Sequence, residues 1–200
     1  AIAKQESIPV EQQSFAGFLN KYRQLVFVIL GFVLVLFGQT MISTFMFQIV
    51  SPIGGNSSTV GIAIFIAAAA EFPAMMYFNK LLKKRSVEFW LKLSMLFFIL
   101  KTITLFFATS VFMVYFSQFL QFGSYAVAYP AAVQYIKGVV DKEDLFKGQT
   151  LFTVGTTIST VFSSFFGGVI IDHFGVAAMI LVSIAVTFVG GLVIYQTLDD

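Results

Sequence analysis

Cysteine is absent from the 200 residues, which removes disulfides, thiol nucleophiles and thiolate metal sites from consideration. Charge is scarce as well: Asp, Glu, Lys and Arg together make up 11% of the chain, against about 25% in ordinary soluble domains. There is one His and one Trp, and twelve Lys and Arg against ten Asp and Glu give only +2, without a basic block of the kind that grips a polynucleotide. What remains is apolar, 58% of all residues with a mean hydropathy of +0.90. A soluble surface cannot be assembled from that composition. Six crossings of about 20 residues each would need about 120 apolar positions, close to the number present, so the chain reads as membrane-spanning with little left for a soluble domain.

Uninterrupted apolar runs, bounded by charge, Gly or Ser, occupy residues 25–49, 59–78, 89–108, 111–136, 148–171 and 176–195. In hydrocarbon every backbone N–H and C=O needs an internal partner, and the runs lack the alternation of barrel strands, so helices are expected. The predicted fold class is an all-α membrane protein with six transmembrane helices over residues 25–196, a polar linker at 1–24 and a tail at 197–200. Within the linker Phe15, Phe18, Leu19 and Tyr22 share one helical face beside Lys21 and Arg23, the pattern of a short helix on the membrane surface or of a frayed tether. An even number of crossings puts both termini on one side. Lys4, Lys21, Arg23, Lys80, Lys83, Lys84, Arg85, Lys92, Lys137, Lys142 and Lys147 flank that side, while the opposite loops at 50–58, 109–110 and 172–175 hold no Lys or Arg. The positive-inside rule therefore predicts cytoplasmic termini. Residues 1–14 are polar and the first apolar run is too long for a signal h-region, so no cleavable signal is read, and the initial Ala gives the chain the look of a fragment or processed product.

Two charges fall inside the runs, Glu71 and Lys101. Each costs at least about 2.5–3.5 kcal/mol at membrane depth, so each needs a reason. Glu71 lies twelve residues past Thr59 and Lys101 twelve past Phe89, about 18 Å from opposite boundaries at 1.5 Å per residue. In a core of about 30 Å their depths differ by about 6 Å, within reach of a salt bridge between antiparallel neighbours. The bland alternative is that Lys101 snorkels outward and Glu71 merely pins two helices.

The fourth run carries Gln118, Gln121, Tyr125 and Tyr129 at helical spacing, a stripe of amides and phenols suited to a polyhydroxylated, uncharged ligand such as a sugar, or equally to hydrogen bonds between helices. Pro73 and Pro130 each free a backbone carbonyl at depth, those of Ala69 and Ala126. Gln39, Thr40 and Ser43 lie in the first run, and Gln149, Thr153, Thr156, Thr160, Ser164 and Gly167 form a ridge in the fifth. Small residues on such a ridge favour close helix packing, which fits Ser164, Gly167 and Gly168, whereas Thr156, nearer mid-membrane, is a candidate to face a cavity. The single His173 sits at an outer loop. Zinc-protease, P-loop and potassium-filter motifs are missing, so neither a metal, a cofactor nor an intramembrane enzyme is expected.

The segments A-E-F-P at 70–73, F-N-K-L-L-K-K-R at 78–85, F-A-T-S at 107–110, K-G-Q-T at 147–150 and G-G-V-I-I-D-H-F-G at 167–175 together resemble the C-terminal six helices of a major facilitator superfamily transporter. The resemblance runs from about residue 25 to 196 and is nearest to the lactose permease-like branch of oligosaccharide/proton symporters and phenylpropionate permeases. It implies two six-helix halves around a central cavity, each half an inverted three-plus-three repeat, in a bacterial inner membrane. The loop from Phe78 to Arg85 is similar to the superfamily's loop motif, with Asn79 where Asp is usual. On this resemblance Lys101 falls on the position of the coupling arginine, Glu71 on a sugar-contact position, Gln121 on that of the permease histidine and Ser124 on that of the proton-carrying glutamate. The permease's interhelical Asp and Lys pair is replaced by uncharged residues near Thr40 and at Thr156. Ser124 cannot titrate in the relevant range, which leaves Glu71 as the mid-membrane carboxylate for the coupled proton. The expectations are therefore proton coupling through Glu71 and Lys101, and a sugar-like solute held by Gln39, Ser43, Gln118, Gln121, Tyr125, Tyr129 and Thr156. The partner is an N-terminal six-helix half or a second copy of the chain, and nucleic acid is not a partner. The rival reading is a non-transporting scaffold whose polar residues only join helices.

Overall fold

The computed structural model describes residues 15–199. Along the chain run α1 (Phe15–Lys21), α2 (Arg23–Thr44), α3 (Met46–Val50) followed by a 3-10 turn at Ser51–Ile53, α4 (Ser57–Leu82), α5 (Val87–Phe106), α6 (Val111–Phe119) with a 3-10 turn at Leu120–Phe122, α7 (Tyr125–Val139) and α8 (Leu145–Thr197). No strand occurs among the described residues. The helix starts are set locally. The Asn56 side chain accepts from the Thr59 N–H while the Thr59 hydroxyl accepts from the Asn56 N–H, each at 3.1 Å, closing a capping box at α4. The Ser86 hydroxyl accepts from the Phe89 N–H at 3.3 Å and opens α5.

Four helices, α2, α4, α5 and α8, are long and apolar enough to cross a membrane. At 53 residues α8 is far too long for one crossing. It breaks at Gly175, whose φ of 82° and ψ of 172° lie where a Cβ is not tolerated, into arms at 145–174 and 176–197. The run expected as one helix over 111–136 is instead α6, a 3-10 turn and α7, because the backbone leaves the α-helix at 120–124.

α2 packs between the two arms of α8, and its crossing with the second arm is close. A Cβ on Gly190 would stand 2.5 Å from the Gly31 carbonyl oxygen, and one on Gly31 would stand 2.8 Å from the Gly190 oxygen. α5 lies against the second arm of α8 and α7, and α4 against α6 and α7. Two apolar cores lie along the bundle axis. The one nearer the termini holds Phe18, Leu25, Phe32, Leu91, Phe98, Ile136 and Ile194. The one at the far end holds Met41, Ile42, Val50, Leu105, Val114 and Met179.

α1 falls within the expected linker, but its apolar face turns inward. Phe18 is fully buried in the near core and Tyr22, just past the helix, is 7% exposed, because aromatic surface gains more from the bundle than from water. The rest of that linker, residues 1–14, lies outside the described residues. The Tyr22 hydroxyl donates to Asp141 Oδ2 at 2.9 Å, Lys21 Nζ pairs with Asp141 at 2.9 Å and Asp144 at 3.2 Å, and Lys147 pairs with Asp144 at 2.9 Å. Gln24 donates to the Thr197 carbonyl at 2.8 Å and Lys92 pairs with Asp199. The start of α2, the start of α5, the 140–144 loop and the end of α8 thus meet on one face of the bundle.

Candidate functional site

Between the two apolar cores lies a polar layer, and the charged residues of the interior meet there. α4 supplies Glu71, α5 supplies Lys101, and the 3-10 turn between α6 and α7 supplies Gln121. Gln121 Nε2 donates to Glu71 Oε1 at 2.7 Å, and Lys101 Nζ donates to Gln121 Oε1. The direct salt bridge that the depths would permit is not made; one amide, donor at one end and acceptor at the other, stands between acid and amine. Lys101 is buried at 7% exposure and is turned inward onto Gln121. Desolvation of a cation is costly, and the amide contact together with the nearby carboxylate offsets part of that cost.

The chain of three side chains opens into a cavity of about 230 Å³, lined on its polar side by Ser43, Glu71, Lys101, Gln118 and Gln121. Ala63, Ala67 and Ala68 of α4 leave the space open opposite them. The run of Ala at 67–70 was the signal in the sequence that a wall here had no bulk. A second cavity of about 210 Å³ is lined by Thr40, Tyr125, Tyr129, Thr156, Thr157 and Thr160. The two adjoin along the chain: Thr40 and Ser43 are one turn apart on α2, and Gln121 and Tyr125 flank the break before α7. Tyr125 and Tyr129 sit with ring centroids 5.5 Å apart, and Tyr129 leans on Phe152 at 5.4 Å, which fixes the phenols at the cavity wall. Thr156 donates to the Thr153 carbonyl at 2.9 Å, satisfying its hydroxyl hydrogen while leaving oxygen lone pairs available.

Of the residues expected to contact solute, Ser43, Gln118 and Gln121 share the first cavity, and Tyr125, Tyr129 and Thr156 share the second. Gln39 lines neither. It is buried among α2, α5 and α8, donating to the Thr102 hydroxyl at 2.8 Å and the Thr187 hydroxyl at 3.4 Å, and its Oε1 has no partner. Ser124 is buried, its hydroxyl 3.5 Å from the Gln121 carbonyl, so it braces the turn that carries Gln121. Thr157 and Thr160 line the second cavity without having been expected there as solute contacts; the hydroxyl ridge of the fifth run was the available signal, but periodicity alone does not say which side of the ridge faces space. Gly167 packs under the Phe45 ring, as the small-residue reading expected. His173 lies at the break in α8, with Nδ1 2.9 Å from the Val169 carbonyl oxygen and away from both cavities.

A sequence profile of the Major Facilitator Superfamily matches residues 28–199, a span that takes in every residue of both cavities. The chain belongs to the major facilitator superfamily. Superfamily membership and the long apolar helices make it an integral membrane protein. It is also similar to the uncharacterized transporter YwbF of Bacillus subtilis (strain 168), with 27% identity over 144 residues, a stretch covering 71% of this chain and 36% of YwbF. The chain thus matches well under half the length of that relative.

Proposed function

We propose that the chain is a six-helix half of a secondary active transporter that moves a small polar solute of the sugar class by proton symport with alternating access. The six crossings are α2 with α3, α4, α5, α6 with α7, and the two arms of α8, the first three and last three forming inverted repeats. In this reading both termini are cytoplasmic and the membrane is a bacterial inner membrane; the one-sided distribution of Lys and Arg supports the orientation. The missing wall of the cavities belongs to an N-terminal six-helix half. The match to only 36% of YwbF supports that reading, since it leaves room in the relative for a second bundle.

The observation that carries the proposal is the Glu71–Gln121–Lys101 chain at the edge of a polar cavity between two apolar cores. Membrane helices that need only to be joined use hydroxyls and amides. An acid and an amine beside open space have a different use. Glu71 takes up the proton, which removes the charge facing Lys101 and weakens its hold on the Gln121 amide. Gln121, released, turns its N–H toward a solute hydroxyl in the cavity, where Ser43 and Gln118 complete the polar contacts and Tyr125, Tyr129 and Thr156 extend them one turn further. Coupling arises because the solute and the ionised Glu71 compete for one amide donor. The scaffold reading has no use for the two adjoining cavities. The test is uptake into vesicles by the complete transporter carrying Glu71→Gln against a panel of sugars: counterflow persists while uphill accumulation is lost. Loss of both together, with the protein still folded, would mean that Glu71 serves the solute rather than the proton.

A further inference from the structure

A third hollow lies apart from these two cavities. It is a groove of about 560 Å³ between α4, α5 and the α6–α7 segment, inside the range of about 300–1,000 Å³ typical of ligand pockets. Its walls are almost wholly apolar: Ala70, Pro73 and Ala74 on α4, Leu93 on α5 and Val127 on α7. The inner end is closed by Phe97, Phe119 and Phe122, whose rings stack edge to face or tilted at 5.2–5.3 Å. The other end opens at Leu81 and Trp90, whose Nε1 donates to the Leu81 carbonyl at 3.1 Å.

We propose that this groove holds one acyl chain of an anionic phospholipid whose phosphate lies among Lys80, Lys83, Lys84 and Arg85. Length is the first argument. The groove follows α4 from Ala69 to Leu81, about 18 Å at 1.5 Å per residue, close to the half-thickness of about 15 Å of a bilayer core, so it serves the chain of one leaflet and ends where a headgroup begins. Charge is the second. The Leu81 carbonyl at the mouth accepts from the Lys84 and Arg85 N–H groups at 2.9 and 3.3 Å, which seats both residues there. Lys80 Nζ lies 4.7 Å from the centroid of the groove-lining Tyr77 ring. None of Lys80, Lys83, Lys84 and Arg85 enters an ion pair among the described residues, whereas Lys21, Lys92 and Lys147 all do. Glu88 is the one acid between residues 78 and 92. Four cations without carboxylate partners among the described residues, at the rim of an apolar trough, complement a lipid with a negative headgroup and an apolar tail. The tyrosine and tryptophan at the same level are residues favoured at a membrane boundary. Each engaged cation is worth about fivefold in affinity for an anionic lipid. The inference does not depend on the solute or on the proton.

Trp90 is the single tryptophan of the chain and stands at the mouth, so its emission reports the occupant. The full 200-residue chain is reconstituted in vesicles containing either brominated phosphatidylglycerol or brominated phosphatidylcholine as the quencher. With one or two of the four cations engaged at a time, Trp90 should be quenched at about a tenfold lower mole fraction of the former. Replacing Lys80, Lys83, Lys84 and Arg85 by Gln should erase the preference. Ala74→Phe, which fills the trough and leaves the cations in place, should remove the high-affinity quenching, and Ala70→Leu repeats the test should the larger substitution fail to fold. Equal potency of the two lipids in the wild type would overturn the proposal. So would unchanged quenching in both filled variants, which would put the lipid on the loop alone, or no quenching by either lipid, which would mean that protein occupies the groove.

Discussion

The crossing of α2 with the second arm of α8 depends on two hydrogen atoms where other residues carry a Cβ, and Gly190→Ala tests that directly. The added methyl would lie 2.5 Å from the Gly31 carbonyl oxygen and 2.9 Å from both the Leu34 Cβ and a Val35 methyl, where ordinary contact begins near 3.4 Å. The nearest atom is backbone, so no side chain can turn away; the helices must part by close to an ångström. A gap of 0.5–1 Å forfeits about a quarter to a half of each dispersion contact along the seam, and overpacking of this kind costs about 1–3 kcal/mol. The seam carries Phe32, Val35 and Ile194 of the near core, so a loss of about 2–3 kcal/mol is expected for Gly190→Ala and for Gly31→Ala. Gly61, on α4, has nothing within 4 Å of its would-be Cβ. There Ala should be neutral or stabilising by up to about 1 kcal/mol, from helix propensity. Equilibrium unfolding in mixed micelles by SDS titration, followed by circular dichroism, compares the three. If Gly190→Ala and Gly61→Ala unfold at the same SDS fraction, the close crossing does not exist and the packing described for α2 is wrong.

Gln39→Met keeps the volume, removes two hydrogen bonds worth about 0.6 kcal/mol each in a membrane protein and also removes a carbonyl without a partner, so the same titration should shift by less than about 1 kcal/mol. Solute KM should be unaltered; a tenfold rise would place Gln39 in the solute site. Gly175→Ala forces a side chain into a conformation only Gly adopts readily and should cost about 1–3 kcal/mol, read as a lower thermal midpoint. The docking of α1 should depend on acid pH. Asp141 is held below the usual carboxylate range chiefly by its hydrogen bond from Lys21, and Asp144 chiefly by that from Lys147. Lys21 is raised above its ordinary value, mainly by the Tyr22 hydroxyl. Carboxylates depressed in the folded state contribute fully above their ordinary value of 3.8, and that contribution fades as pH falls below it. Protection of the Phe15–Lys21 amides, the slowing of their exchange relative to the unstructured rate at the same pH, should fall near pH 3 and stay unchanged between pH 7 and 9; undiminished protection at pH 3 would show that the network does not hold α1.

The positions of α2, α4, α5 and the two arms of α8 were legible because hydrocarbon demands about 20 apolar residues per crossing, and these helices lie close to five of the expected runs; the run at 111–136 is instead divided between α6 and α7. The meeting of Glu71 with Lys101 was legible in depth but not in contact: counting residues along two helices gives heights, and cannot show that the Gln121 amide is inserted between them. The stripe from Gln118 to Tyr129 was read on a continuous helix. The backbone leaves that helix at 120–124, so the amides turn into one cavity and the phenols into its neighbour. Gln39 was grouped with the solute contacts by its residue type, yet whether a polar side chain meets space or hydroxyls on adjacent helices depends on interhelical rotation, which no single run encodes. The inward face of α1 was missed for a related reason, since Phe18 and Tyr22 make the same apolar stripe whether they face lipid or a bundle.

The measurement closest to the central claim is proton uptake recorded together with solute uptake by the complete transporter in vesicles, with and without Glu71→Gln. Coupling through Glu71 predicts that the wild type alkalinises the medium as solute enters, and that the variant exchanges solute with no proton signal and no accumulation. A variant that still draws protons in with the solute and accumulates it uphill would contradict the account.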